Sequence, residues 1–193
     1  MDSRYIAVLL SLSVITGTGA AQPRLSCVYV ANEPNAELES HPNCASRIGL
    51  DVSISKVDLT AMSFDSIGLA EVAIERQWFY VKRDGTSLPV VDDDNGADTF
   101  SEGLVRSIRE NRVAYFDSSF KQVIAPKYDW GWPFENGRAL VCNGCKLGGR
   151  PTDEHRFFDG GLWGYIDHDG HEVVPVNLTR YEVERLSNTK VVQ

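Results

Sequence analysis

The stretch 160–176, GGLWGYIDHDGHEVVPV, decides how the whole chain is interpreted. Two aspartates and two histidines fall within five residues of it, at 167–171, as they could in a catalytic loop. The same letters are also typical of a β-hairpin. The runs LWGYI and EVVPV are rich in aromatic and β-branched residues, and the Asp-Gly pair between them favours a tight turn. The choice between the two interpretations depends on whether the pattern recurs.

The pattern recurs twice upstream. Three segments align, and they open on Phe64, Phe100 and Phe134, which lie 36 and 34 positions apart. Each continues with polar residues, a glycine, an alternating apolar run, a turn, an aromatic-centred run, a second turn and a β-rich stretch with a proline. Alternation of apolar and polar residues is typical of half-buried strands. We therefore expect three short antiparallel strands in each unit. The expected units are about 60–97, 98–132 and 133–180.

The recurrence changes the interpretation of the histidines. The segment 168–170, His-Asp-Gly, falls where the segment 83–85, Arg-Asp-Gly, falls in the first unit. Aspartate and glycine are the residues that such turns need, since glycine adopts positive φ without steric cost. The second unit has Asp-Ser-Ser-Phe at this place, so its turn must differ. We interpret these positions as turn residues and assign no catalytic residue.

Two stretches resemble a known family. LWGYIDHDGHEVVPV and VIAPKYDWGWPFENGRALV together resemble the WG β-repeat (WG-containing repeat) family. The matching residues are Pro126, Tyr128, Asp129, Phe134, Gly137, Trp163, Gly164, Tyr165, Asp167, Gly170 and Pro175. The resemblance covers about 60–180 and is specific in the third unit. In the first unit Trp78 is followed by Phe79 instead of glycine, and the second has Val-Ala in that place. The resemblance implies a β-rich repeat, mostly of bacterial proteins, and no catalytic residues transfer with it.

The predicted fold is therefore mainly β. One unit cannot bury its apolar face alone, so we expect about three WG-type units to be stacked or joined into a curved sheet. The segment 22–59 precedes them and is expected to be a β segment closed by a disulfide. A polar tail, 181–193, follows them. A hydrophobic fraction of 42% and a charged fraction of 24% are those of an ordinary globular chain.

The first residues predict a secretory signal peptide, 1–21. An uncharged apolar run from Tyr5 to Ile15 is followed by the small residues Gly19, Ala20 and Ala21. The run is shorter than the roughly 20 helical residues that a membrane span needs. We expect an exported protein, periplasmic or secreted, with no membrane span after cleavage. The net charge of -8 argues against nucleic acid as a partner.

The chain has four cysteines, and an oxidising compartment favours disulfides between them. Three pairings are possible, and we favour the two local ones, Cys27–Cys44 and Cys142–Cys145. In the second pair Asn143-Gly144 predicts a type I′ hairpin turn that brings the flanking cysteines close together.

Two alternatives remain open for the Cys142–Cys145 pair. It could be a redox-active pair, which would make the chain a thiol–disulfide protein. It could also bind zinc together with His155, since a tetrahedral site needs one further ligand. That ligand could come from Asp153, Glu154, His168 or His171. No other cofactor is expected.

The leading functional hypothesis is non-enzymatic binding. The stretch YDWGWPF at 128–134 holds four aromatic residues, which serve either as core or as anchors of a binding surface. An insertion, 146–161, interrupts the third unit, and inserted loops often carry function. The candidate contact residues are Trp130, Trp132, His155 and Arg156. We expect them to meet a protein or cell-envelope partner.

Overall fold

The computed structural model describes residues 24–148 and 157–189 of the chain. Within these ranges antiparallel β-sheets make up most of the structure, and two helices accompany them. The predicted mainly β fold is confirmed. The predicted signal peptide, 1–21, lies outside the described residues.

Six strands form the first sheet. They are β1 (Leu25–Val30), β2 (Leu38–Ile48), β3 (Asp51–Ile54), β4 (Leu69–Ile74), β5 (Gln77–Lys82) and β6 (Ser87–Val90). Their order is β3-β2-β1-β4-β5-β6, so the N-terminal segment and the first unit share one sheet. The sheet curls until β3 meets β6. There Ser87 Oγ donates to the carbonyl oxygen of Val52 at 3.1 Å and accepts from its N–H at 3.2 Å.

The inside of this nearly closed sheet is apolar and holds the first disulfide. Cys27 of β1 and Cys44 of β2 are joined with their Cα atoms 5.8 Å apart, and both are fully buried. The predicted disulfide of the N-terminal segment is confirmed. A short helix, α1 (Lys56–Ala61), leads from β3 back towards β4. Ser55 caps it, because its hydroxyl accepts the N–H of Asp58 at 3.1 Å.

The rest of the chain forms smaller sheets. A hairpin of β7 (Asp92–Asp93) and β8 (Gly96–Ala97) precedes a three-stranded sheet of β9 (Leu104–Arg109), β10 (Arg112–Asp117) and β11 (Gln122–Tyr128). The next strands are β12 (Trp130–Gly131), β13 (Ala139–Asn143), β14 (Lys146–Leu147), β15 (Phe158–Asp159), β16 (Leu162–Ile166) and β17 (Glu172–Leu178). A four-stranded sheet has the order β12-β13-β16-β17, and β14 pairs with β15 inside the insertion.

Each predicted unit contains the expected three-stranded meander. The meanders are β4-β5-β6, β9-β10-β11 and β13-β16-β17. In each, the turn before the third strand has one residue of positive φ, namely Gly85, Phe120 and Gly170. The N–H of that residue bonds to the carbonyl oxygen three positions earlier in all three cases. The interpretation of His168 and Asp169 as turn residues is confirmed, and Phe120 explains how the second unit makes its turn without glycine.

The chain ends, within the described residues, in a helix that packs on the last unit. This helix, α2 (Arg180–Thr189), begins at the start of the predicted polar tail. Val183 is fully buried and lies in one apolar cluster with Trp163 of β16. In the described part of the chain neither helix is long and apolar enough to cross a membrane.

Candidate functional site

A cleft of about 310 Å³ lies where the second and third units meet the insertion and α2. Its apolar wall is made by four aromatic residues, Trp130, Trp132, Phe157 and Phe158. Arg106 of β9 and Arg180 of α2 also face it. Both tryptophans that the sequence singled out therefore lie in one cavity, at the junction of elements far apart in the chain.

The aromatic residues of the cleft pack against one another in a fixed arrangement. The rings of Trp130 and Phe158 stack with centroids 4.6 Å apart and planes at 17°. Trp132 stands edge-on to Phe158 at 5.8 Å and leans on the buried Trp163 at 5.3 Å. The two tryptophans are half-buried: they pack against the core, and part of each ring is open to the cleft, while their role as contact residues stays a prediction. Phe157 is 55% exposed.

A buried ion pair forms the floor of the cleft. Arg106 and Asp98 are 4% and 1% exposed, and the Nε atom of Arg106 lies 3.1 and 3.2 Å from the two carboxylate oxygens of Asp98. Asp98 also accepts the backbone N–H of Arg106 at 2.8 Å, and Nη1 of Arg106 donates to the carbonyl oxygen of Gly131 at 3.2 Å. A buried charge costs several kcal/mol unless it is paired and hydrogen-bonded, as this one is. The guanidinium lies 5.7 Å from the ring centroid of Trp130, and its bond to Gly131 ties β12 to β9.

The outer wall is fastened by Arg180. Its Nη1 atom donates to the carbonyl oxygen of Phe158, and its Nε atom donates to Glu184 Oε1 at 2.8 Å. The guanidinium carbon lies 5.0 Å from the ring centroid of Trp163. Arg180 therefore ties the returning strand of the insertion to α2 and to the core below.

The Cys142–Cys145 disulfide lies directly behind the tryptophans. Cys142 pairs with Trp130 of β12 on one side and with Trp163 of β16 on the other. Both cysteines are buried, and no described cysteine is free. The predicted disulfide is confirmed, and the disulfides indicate a non-reducing environment.

The predicted type I′ turn at Asn143-Gly144 is wrong. That turn needs positive φ at both residues, and only Gly144 has it. The reason is that Asn143 is still part of β13, where it pairs with Leu162. Both edges of β13 are already occupied by β12 and β16, so β14 turns away and pairs with β15.

The disulfide between Cys142 and Cys145 argues against the zinc hypothesis. Neither sulfur is a thiolate, so zinc binding by Cys142 and Cys145 would require their reduction. His155 and Arg156 lie outside the described residues, and their roles stay predictions. His168 and His171 lie in the turn after β16, whereas Cys142 pairs near the start of that strand, so the two possible ligand groups are separated by the strand length.

The thiol–disulfide hypothesis also meets a structural obstacle. A reactive cysteine usually has its thiol pKa lowered by a helix N-terminus or a neighbouring cation. Cys142 instead lies within a strand, fully buried between two other strands. This setting favours a structural disulfide.

One group of metal-type ligands occurs among the described residues. Ligand atoms of Asp167, Asp169 and His171 lie within 4.8 Å of one another. The turn itself accounts for this grouping, since Asp167 Oδ1 accepts the N–H groups of Asp169 and His171 at 3.1 and 2.8 Å. These hydrogen bonds, above all the one from His171, lower the pKa of the Asp167 carboxyl.

Sequence reasoning missed most of the cleft. Arg106 and Asp98 carry no linear signal, because a buried pair can be recognised only once the two units are placed together. Phe157 and Phe158 lie in the insertion, where no repeat pattern guides assignment.

Comparison with known proteins bears on the repeat. The family described as WG containing repeat matches residues 114–146 and 163–180. No curated protein matches the chain significantly, and no solved structure does either. The matched residues include β11, β12, β13 and β17, and the gap between them falls in the insertion. Segments 114–146 and 163–180 therefore match the WG containing repeat family, the family that the sequence was predicted to resemble.

Proposed function

We propose that this chain is an exported, non-enzymatic binding protein whose cleft between the second and third units receives a protein partner. One observation carries the proposal: the half-buried Trp130 and Trp132, with the exposed Phe157 beside them, line a single cavity. Tryptophan and arginine are the residue types most enriched where interfaces concentrate their binding energy. The cleft offers both, with Arg180 at its edge.

The rigidity of the cleft supports this proposal. Trp130 is held from one side by the stacked ring of Phe158 and from below by the Arg106 guanidinium. Side chains that are already fixed lose little conformational entropy when a partner binds, so more of the contact energy is available as affinity.

The groups that face the cleft support a binding role over catalysis. Its described lining residues include no serine, threonine, cysteine, histidine or lysine. Its two arginines are engaged, Arg106 by Asp98 and Arg180 by Glu184. A nucleophile next to a general base, which acyl transfer requires, is therefore not offered by these residues.

The disulfides support export. The cysteines of both disulfides belong to buried apolar clusters. Disulfides persist in oxidising compartments and are rare in a reducing cytosol. The apolar run that precedes the described residues has the composition of a secretory leader. We assign the protein to the periplasm or the extracellular medium. Fractionation of cells that express the full chain should recover it there, shortened by about 21 residues as the sequence predicts. Recovery of the uncleaved chain in the cytosol would contradict this part of the proposal.

A photo-crosslinking experiment tests the binding site. A benzoyl-phenylalanine placed at Phe157, which is 55% exposed, should crosslink one protein in intact cells. The matched control is the same amino acid at Val57 on α1, which is 80% exposed and lies in the N-terminal segment. The crosslinked protein, once purified, should bind the wild-type chain and bind the Phe157→Ser variant at least roughly tenfold more weakly, as expected for loss of an aromatic anchor.

Two kinds of result would contradict the proposed binding site or its partner class. Crosslinks of equal yield from both positions, or unchanged affinity of the Phe157→Ser variant, would remove the cleft as the binding site. A cell-wall glycan as the crosslinked species would show an envelope partner that is not a protein, and would contradict the partner class proposed here.

A further inference from the structure

A second cavity has a volume of about 410 Å³, and a third cavity shares lining residues with both it and the aromatic cleft. The second cavity is formed where the N-terminal segment meets the first and second units. It shares no lining residue with the aromatic cleft. An inference about it is therefore independent of the function proposed above.

Three arginines reach this cavity from three different elements. Arg47 comes from β2, Arg76 from the turn between β4 and β5, and Arg109 from the end of β9. The whole chain carries a net charge of -8, yet this cavity is lined by three cations and one anion, Glu75. A local excess of positive charge in an acidic protein attracts anions to that place.

Two of the arginines have hydrogen-bond donors to spare. Arg76 makes no hydrogen bond or ion pair with any described residue, and it is exposed. Arg109 is half-buried and meets Asp51 only at 3.8 Å. Its Nη1 atom is buried without a hydrogen-bond partner among the described residues. Only Arg47 is well paired, with Glu75 at 2.8 Å.

A buried donor without a partner is unusual and costly. Leaving a buried charged group unsatisfied costs more than the roughly 1–3 kcal/mol of a neutral one. Burial also lowers the pKa of the Arg109 guanidinium, although the Asp51 carboxylate opposes that effect. An anion in the cavity would give the Arg109 guanidinium a hydrogen-bond partner once the side chain shifts towards it, since Nη1 itself is shielded from solvent.

We propose that this cavity binds a carboxylate attached to an apolar group, as at the C-terminus of a peptide, with Arg76 and Arg109 holding the carboxylate. The planar guanidinium matches a carboxylate with two parallel hydrogen bonds. Leu50, Pro89 and Ile108 line the same cavity and provide contact for an apolar side chain. Glu75 and Asp51 offset two of the three positive charges of the arginines. The remaining single positive charge is balanced better by a singly charged ligand than by a doubly charged phosphate.

Nuclear magnetic resonance of the full mature chain tests the proposal. The probes are N-acetyl-leucine, its uncharged amide and inorganic phosphate, each titrated while the side-chain Nε–Hε signals of the arginines are observed. The carboxylate should shift the signals of Arg76 and Arg109 in a saturable manner, and the amide should not. Low ionic strength is needed because salt screens such contacts.

Two variants make the test specific. Arg76→Gln should weaken binding of N-acetyl-leucine at least roughly tenfold, the effect of losing one charge-assisted contact. Arg76 is exposed, so this variant should keep the fold. The control, Arg83→Gln, removes the same charge from the exposed Arg83, which stacks on Phe64 outside the cavity, and should leave affinity unchanged.

Each contrary result overturns the proposal. Equal binding of the amide would mean that the apolar wall alone recognises the probe. Tighter binding of phosphate would contradict the carboxylate class. Equal affinities of Arg76→Gln and the control variant would show that Arg76 does not hold the anion.

Discussion

The hydroxyl group of Tyr115 donates a hydrogen bond of 2.8 Å to the carbonyl oxygen of Trp132. This bond ties the middle strand of the second meander to the connector that enters the third. One unit earlier, Tyr80 makes the same bond to the carbonyl oxygen of Asp98 at 3.0 Å. In both cases the acceptor stands two residues before the phenylalanine that opens the next unit, and that ring packs on the tyrosine. The repeated tyrosine is thus the joint between successive units.

The joint predicts the effect of Tyr115→Phe. Tyr115 is 1% exposed, so the change would leave the Trp132 carbonyl without this partner in a place where water cannot easily replace it. We expect the free energy of unfolding to fall by about 1–3 kcal/mol. Urea unfolding followed by tryptophan fluorescence measures it. Tyr181→Phe, at a 67% exposed site on α2, is the control and should change stability little. Equal stabilities of the two variants would show that the hydroxyl is not a structural joint.

The close packing around Gly164 predicts that a larger residue at this position destabilises the protein. A Cβ atom at Gly164 would lie 2.5 Å from the carbonyl oxygen of Val174 and 2.8 Å from backbone atoms of Pro175. Backbone cannot move aside as a flexible side chain can, so Gly164→Ala should cost about 1–3 kcal/mol of stability. Thermal unfolding by circular dichroism measures the loss.

A matched substitution checks that the loss comes from this close approach. At Gly96 an added Cβ would meet its nearest neighbour, the Asp93 carbonyl, at 3.6 Å, which is an ordinary contact. Gly96→Ala should therefore be tolerated. If Gly164→Ala were tolerated as well, the requirement for glycine after Trp163 would have to come from something other than packing.

The sequence predicted the features that are local along the chain. The strands and turns of each unit follow from alternation and from Asp-Gly pairs, whose geometry is fixed by a few neighbouring residues. The Cys27–Cys44 and Cys142–Cys145 bridges follow from proximity and an even count. The left-handed φ of Phe120 was not predicted: without a glycine the turn of the second unit was expected to differ, yet the structure keeps the turn of the other two units.

The features that depend on packing between distant segments could not be predicted. The sequence does not indicate that Ser87 joins β3 to β6 or that Arg106 pairs with Asp98, because each contact forms only when two separate elements pack together. The Asn143-Gly144 turn failed for the same reason: its local preference was overridden by the strands on either side of β13. The boundaries of the three units and of the N-terminal segment stay predictions.

Glu172 predicts a dependence of stability on pH. Its carboxylate accepts from Lys127 Nζ at 2.8 Å, from the N–H of Val176 at 3.0 Å and from the Tyr128 hydroxyl at 3.2 Å. These bonds, with the one from Lys127 foremost, lower the pKa of Glu172 in the folded state. A carboxyl group whose pKa is lowered by folding stabilises the protein above its unfolded pKa, about 4.3 for glutamate. That contribution is lost as the pH falls through the lower, folded pKa.

The Glu172→Gln variant isolates this effect. It should be less stable than the wild type at pH 7, and the difference should shrink towards zero as the medium is acidified below the glutamate range. Urea unfolding at a series of pH values measures it. Glu33→Gln, at an exposed residue whose side chain bonds to no described group, should show no such trend. A difference that stays constant down to low pH would mean that Glu172 acts by shape and not by charge.

The two disulfides should contribute unequally to stability. Cys27–Cys44 spans 17 positions, whereas Cys142–Cys145 spans 3. A longer closed loop restricts the unfolded chain more, so loop entropy alone gives about 3 kcal/mol for the first bridge and about 2 kcal/mol for the second. The double variant Cys27→Ala/Cys44→Ala should therefore unfold at a lower urea concentration than Cys142→Ala/Cys145→Ala.

The thiol content of the protein decides whether this comparison applies. Freshly purified mature protein, denatured without reductant, should show no thiol that reacts with a colorimetric reagent, because all four cysteines are paired. Two reactive thiols together with one equivalent of zinc would instead support a metal site at Cys142 and Cys145, and insulin reduction would support a redox pair. If the protein is fully oxidised but the Cys142→Ala/Cys145→Ala variant proves the less stable, loop entropy does not determine the difference in stability between the two variants. The short bridge would then act through its packing behind Trp130 and Trp163, where both of its cysteines are buried.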